Sequence, residues 1–259
     1  MDNSRICALL VVASAVCAAA QSSPAIVGLD HIPIAVNDLD AAGDRFRALG
    51  FALKPGRPHD NGLRNLHAKF PDGTELELIT APEARDELTT KYRRHLAAGD
   101  GPAFLAFHAP DRKQVRETLP PYVFLAALNH SPTDRPEHFA HANTSVAFIS
   151  VWLAADDLTA ERRLLRSAGG SFVKRRVHIP DPVVAEVAQL RDGDVVLVPG
   201  SHQRIKGRRI IGATLRVKSA ATARNVIEAR GISVRSSGAS LFVAPEAANG
   251  LWLEFRQDR

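Results

Sequence analysis

The sequence predicts an α+β fold of repeated βαβββ units whose strands make curved mixed sheets, on three observations. Within Gly28 to Leu39 apolar residues alternate at Ile32, Ile34 and Val36, the period of a half-buried strand, and His31 stands on the opposite parity. Asp38 then caps a helical stretch from about Leu39 to Leu49, which Gly50 stops. Third, this grammar, closed by a glycine turn and a last apolar strand, returns along the chain.

In order, the first unit continues with a strand from Phe51 to Pro58, ended by proline, and another from Leu63 to Phe70. The turn Pro71-Asp72-Gly73 leads into a fourth strand, Thr74 to Thr80. A second helix signal follows Asp157-Leu158 over LTAERRLLRSAG, with Gly169 eleven residues beyond the leucine, as Gly50 is beyond Leu39. Asp192-Gly193 then introduces DVVLVP. A further unit opens at Ile210 (IIGATLRVK), passes through AATARNVIEARG to Gly231, and closes with Asn249-Gly250 before LWLEF. Four positions after the turn glycine stand Glu77, Leu197 and Glu254, so two of three last strands carry glutamate there. Between Gly101 and about Thr144, PAFLAFHAPD opens a unit that Pro120-Pro121 and a polar loop leave shortened or diverged. The expected domains are therefore residues 28–145 and 146–257, each a pair of units.

Composition is that of a globular chain able to bury a core, with 45% hydrophobic and 24% charged residues. Residues 1–20 differ: Arg5 precedes the apolar run ICALLVVASAVCAAA, and Ala18-Ala19-Ala20 offers the small residues a signal peptidase reads. Cleavage before Gln21 is expected, giving an exported protein, periplasmic or secreted. The run is too short for a stable membrane span, which needs about twenty apolar residues. Cys7 and Cys17 both fall in this leader, so the mature chain has no thiol for disulfides or nucleophilic catalysis. The net charge of +5 comes mostly from scattered arginines, and only 6% of residues are aromatic. That argues for a solvated surface and against nucleic-acid binding, which joins basic runs to stacking rings.

DHIPIAVNDLDAA with a later DGTELELI, in duplicated βαβββ units, resembles the vicinal oxygen chelate (VOC) superfamily. HANTSVAFISVWLAADDL and VAPEAANGLWLEF are similar to its glyoxalase-like domain, and the likeness runs from about Leu29 to Phe255. The resemblance implies a cup between paired units. There a divalent metal (Zn, Fe, Mn or Ni), held by histidine near the start of the first strand and glutamate in the last, binds neighbouring substrate oxygens. Carried over by position, this makes His31, Glu77 and Glu254 the metal candidates. Ser150, Gly212 and Ala103 stand where other copies would place a histidine, which leaves the site degenerate.

Strand parity adds Asn65, His67 and Lys69 to the concave face of the first unit, and Trp252, Glu254 and Arg256 to that of the last. Asn65, Lys69, Trp252 and Arg256 are then pocket residues, and Glu77, His67 and His141 the candidates for proton transfer. Plainer roles compete with each. His31 suits a strand-end hydrogen bond, Glu77 a solvent-facing pair with Glu75, and Glu254 an ion pair with Arg256; His141 suits a loop, and Trp252 packing. No phosphate loop, G-x-S-x-G, HExxH or CxxC occurs. Two functions remain: metal-assisted lyase, isomerase or dioxygenase chemistry on a small oxygen-rich molecule, or a non-catalytic protein sequestering such a ligand, as monomer or homodimer.

Overall fold

The structure, a computed structural model, describes residues 25–258. The expected leader over residues 1–20, with both cysteines, lies outside them. Among the described residues no helix is long and apolar enough to cross a membrane.

The first unit begins with β1 (Gly28–Ala35) and α1 (Leu39–Ala48), whose N-cap Asp38 accepts from the amides of Asp40 and Ala41. It continues through β2 (Lys54–Pro55), β3 (Arg64–Lys69) and β4 (Glu75–Thr80). The expected strand over Phe51–Pro58 shrinks to two residues, because Pro55 and Pro58 have no N–H to carry the ladder onward. A helix the sequence reading did not identify, α2 (Glu87–Leu96), follows. Asp86 and Thr89 form its capping box, and its otherwise polar sequence hides a narrow buried stripe of Thr89, Tyr92 and Leu96.

The second unit is short. Strands β5 (Gly101–Pro102) and β6 (Leu105–His108) run antiparallel to β1, and β7 (Val123–Ala126) lies parallel to β6, as β4 lies parallel to β1. Between β6 and β7 a single 3-10 turn, Arg112–Gln114, stands where the other units have a helix and two strands. The first sheet runs β2-β3-β4-β1-β6-β7, with β5 beside β1.

The remaining units are complete. One is β8 (Ser145–Ala154), α3 (Thr159–Ser167), β9 (Ser171–Ile179), β10 (Asp181–Leu190) and β11 (Gly193–Val198). The other is β12 (Ile210–Val217), α4 (Ala220–Glu228), β13 (Val234–Ser237), β14 (Ser240–Val243) and β15 (Trp252–Gln257). They share one eight-stranded sheet, ordered β13-β14-β15-β12-β8-β11-β10-β9. Its outer edges meet: Arg235 on β13 forms an ion pair with Asp181 at the β9–β10 turn, so this sheet curls nearly shut.

One large core joins the helix-side faces of both sheets. It holds Ile32, Ile34, Leu76 and Leu78 beneath α1, and Leu251, Leu253 and Phe255 beneath α4, as strand parity requires. The sheets also meet directly where Leu29 N–H donates to Asp192 O, 3.0 Å away. Gly28 permits this approach, since a Cβ there would stand 2.1 Å from the Asp192 carbonyl oxygen. The opposite, concave face of each sheet is what remains for function.

Candidate functional site

The concave face of the first sheet is polar. On β4, Glu75 and Glu77 take the parity opposite to Leu76 and Leu78, and Asn65, His67 and Lys69 do the same on β3. On β1 a β-bulge between Leu29 and His31, read against β6, aims Asp30 as well as His31 into the cup. All of these side chains but Lys69, which is wholly buried, line a cavity of 620 Å³ together with Lys54, Arg57 and His59 and the segment Ala127–Ser131.

Asp30 is fully buried, and its Oδ1 lies 2.5 Å from His31 Nδ1, which turns Nε2 toward Glu77 Oε2 at 3.7 Å. The other Glu77 oxygen accepts from Asn65 Nδ2 at 2.6 Å. A second histidine–carboxylate pair, His67 Nδ1 and Glu75 Oε1, is 3.0 Å apart, and Asn129 Nδ2 donates to the remaining Glu75 oxygen. Burial alone would lower the His31 pKa; the bond to Asp30 and the negative charges of Glu77 and Glu75 outweigh it and raise the value. Glu75 moves the other way, because burial is outweighed by His67 and His31 beside it. The cup therefore holds an imidazole fixed by one carboxylate and facing another, both of which favour its charged form.

The rim is tied by charge. Asp134 receives Lys54 Nζ at 2.5 Å and Lys69 Nζ at 2.6 Å, and Lys69 also donates to Asn129 O. Burial pushes the Asp134 pKa up, but the two ammonium groups hold its carboxyl far below the usual range. This clasp fastens the segment after β7 across the cup, on the side left open by the missing strands.

The structure assembles some of the expected site residues and disperses others. His31, Glu77, His67 and Asn65 share the first cup, whereas Lys69, expected in the pocket, is wholly buried in its bonds to Asn129 O and Asp134 and does not line it. Glu254 does not join them: it lies on β15 in the second sheet, where Thr214 Oγ1 donates to it at 2.5 Å and Ser240 Oγ also donates. Its partners are hydroxyls rather than Arg256. Trp252 packs against the apolar cluster on the concave face of that sheet, so Trp252 and Arg256 are no part of the His31 pocket. His141 is also withdrawn from proton transfer. Its Nδ1 accepts from Ala52 N–H and its Nε2 lies 2.8 Å from Lys69 O, so both nitrogens are bound to backbone between Phe51 and Phe70. The site residues missed from sequence are Asp30, Lys54, His59, Asn129 and Asp134. Asp30 was hidden because the bulge reverses its parity; the others come from loops and a two-residue strand.

The donors present decide whether the metal implied by the resemblance fits. His31 Nε2 and Glu77 Oε2 are oriented as ligands would be, with Asp30 and Asn65 fixing them from behind. The facing half of the cup gives nothing further: Ala106 pairs with His31 in register, and the Phe124 ring stands edge-on to it at 5.3 Å. Among the described residues no three His, Cys, Asp or Glu side chains converge to hold a metal ion. Two donors do not fit a metal held by protein alone, for which three or four are usual.

Residues 29–136 match the family model described as glyoxalase-like domain. Among solved structures, the chain is similar to a mutant 4-hydroxymandelate synthase from Streptomyces coelicolor, at 13% identity and TM-score 0.62, covering 91% of this chain and 93% of that one. It is similar to homoprotocatechuate 2,3-dioxygenase from Arthrobacter globiformis at 16% identity and TM-score 0.58, covering 91% and 81%. A xylose isomerase-like TIM barrel/4-hydroxyphenylpyruvate dioxygenase fusion protein matches at 10% identity and TM-score 0.62, over 91% of this chain; the chain spans 49% of that protein. A comparison with curated proteins returned no match. At these identities the structural likenesses establish the fold.

Proposed function

We propose that this chain is a glyoxalase-like protein of the vicinal oxygen chelate superfamily, a reading supported by the family match over residues 29–136 and the shared fold, and that its first cup binds a small oxygen-rich molecule and moves a proton on it. The observation that carries this reading is the Asp30–His31–Glu77 arrangement at the wall of a 620 Å³ cavity. His31, whose charged form the neighbouring carboxylates favour, donates Nε2–H to a carbonyl oxygen of the bound molecule. Glu77, steadied by Asn65, accepts a proton from the adjacent carbon, which completes an enolisation with both protons assigned. Asp30 orients the imidazole and stabilises its positive charge. The second pair, His67 and Glu75, fixes the floor of the cup. Fold kinship with dioxygenases supports small-molecule chemistry in general and leaves the reaction open. The same proposal places the mature chain outside the cytoplasm, periplasmic or secreted, on the leader-like run of residues 6–20.

The test is deuterium exchange at the carbon beside the carbonyl of hydroxyacetone. Acceleration by the native protein, reduced about 100-fold in His31→Ala and in Glu77→Gln, is the expected result. Equal exchange with all three proteins would sink the catalytic reading. The alternative would then stand: a sequestering protein, favoured by the absence of donors on the Ala106 and Phe124 side of the cup.

A further inference from the structure

Outside the first cup, a separate cavity of 450 Å³ opens between α2 and the loop that leads into β12, and it shares no lining residue with the cup. One wall is apolar, built from Phe104 between β5 and β6, Tyr122 just before β7, and Ile210 at the start of β12. The Phe104 ring stands edge-on to both Tyr92 and Phe124, with centroids 5.1 and 6.4 Å away. Tyr122 Oη donates to Glu161 Oε1 at 2.8 Å, so both rings are held in place.

The other wall is basic. Among the described residues no Asp or Glu lines this cavity, whereas Lys91 and Arg94 of α2 and Arg208 and Arg209 before β12 all do. Two of these charges are answered from outside it, Lys91 by Glu87 at 2.7 Å and Arg209 by Glu161 at 3.0 Å. Arg94 and Arg208 form no ion pair among the described residues. Arg208 Nη1 donates to Asp100 O at 2.6 Å, and Nη2 donates to His95 O and Gly99 O at 2.7 and 2.6 Å. These carbonyls take three of its five N–H groups and fix the guanidinium, but they supply dipoles and no countercharge. Burial lowers the Arg208 pKa, opposed only by the charge of Asp100, whose carboxylate accepts from Asn37 and Asn249. His95 adds no positive charge near neutral pH, because burial and the neighbouring Arg208 lower its pKa to about 4.

We propose that this cavity binds an aromatic carboxylate, whose anionic end meets Arg208 and Arg94 and whose ring lies against Phe104 and Tyr122. A guanidinium suits the anionic end because its planar fork matches two carboxylate oxygens, and the charge of Arg208 is left over after its backbone bonds are made. The ring gains from a wall that already presents two aromatic side chains beside Ile210.

The experiment is calorimetric titration of the full chain with benzoate, benzyl alcohol and inorganic phosphate. Benzoate should bind saturably with a Kd of about 1 mM or tighter. Benzyl alcohol, which has the ring without the charge, and phosphate, which has the charge without the ring, should each bind about tenfold more weakly or worse. Arg94 is exposed, so Arg94→Gln leaves the core intact, and it should weaken benzoate about fivefold. Arg208→Lys, which keeps the charge and loses the fork, should weaken it about tenfold. Phosphate binding as tightly as benzoate, benzoate affinity indifferent to both substitutions, or a failure of benzoate to saturate would overturn the proposal. Loss of benzoate binding in Arg57→Gln with none in Arg94→Gln would overturn it too, by placing the anion in the first cup, which Arg57 lines. Hydroxyacetone exchange is measured separately, so loss of the catalytic reading does not decide the benzoate result.

Discussion

The two sheets follow one plan and end in opposite states. In the first, the concave face is open and charged, with His31, Glu77 and Lys54 around a cavity. In the second, that face is packed with Trp152, Phe242, Ile211, Val187 and Val196. Position 212 shows how the change was made. Gly212 is where the fourth unit would place a histidine matching His31, and a Cβ there would lie 2.1 Å from the Trp152 ring. The indole fills the space a ligand would need and donates to Thr214, which donates to Glu254. A glutamate four positions after the turn glycine is therefore a hydrogen-bonded core group in one sheet and part of an open site in the other. Its neighbours decide which.

If this contrast is right, the largest effect falls on the plug. Trp152→Ala should cost about 4 kcal/mol of stability, by the usual cost of emptying a large buried aromatic site. Urea denaturation measures it, and binding in the first cup should be unchanged below the transition. A loss under about 1 kcal/mol would mean the second sheet is not held by its filling.

Next comes the clasp. Asp134→Ala leaves two ammonium groups side by side, Lys69 wholly buried, and should cost about 3 kcal/mol. Because the folded Asp134 pKa is depressed, its contribution is fully present above the ordinary carboxylate pKa and fades as pH falls below it. The native and mutant stabilities should converge in acid; parallel curves from neutral to low pH would remove Asp134 from this role.

The histidines of the two roles should titrate in opposite senses. His31 is raised, so its stabilising charge is complete below pH 6.5 and is lost as pH climbs through the higher folded value. His141, lowered by burial against its bond to Lys69 O, stabilises above 6.5 and loses that contribution as pH falls. Imidazole NMR should find His31 titrating above His141, and Asp30→Asn should bring His31 down. An unmoved His31 would take Asp30 out of the mechanism.

The smallest effect is expected at Glu254. Glu254→Gln should cost about 1 kcal/mol, since both hydroxyl partners can turn to meet the amide, and should leave binding in the first cup unaltered. A loss of ligand affinity there would reunite Glu254 with His31 and undo the contrast.

The elements were legible wherever a period and a cap agreed. Ile32, Ile34, Leu76 and Leu78 gave the strands and their buried side, and Asp38 with Gly50 gave the first helix its ends. Legibility failed where the cause was not periodic. The β1 bulge moved Asp30 across the sheet, Pro55 cut β2 to two residues, and α2 showed too narrow an apolar stripe to be seen. Parity correctly placed Glu254 on the face away from the helix, but parity within one strand cannot say which other strand shares its cup.

By itself, then, the sequence determined the βαβββ units, their faces and the polar set on β3 and β4, because alternation and capping are local. Only the tertiary structure decided that His31 answers to Asp30 and Glu77 rather than to Glu254, that His141 is a backbone staple, and that Trp152 closes the second cup. Those outcomes depend on strand order and loop closure, which bring together groups far apart in the chain through contacts that no local period records.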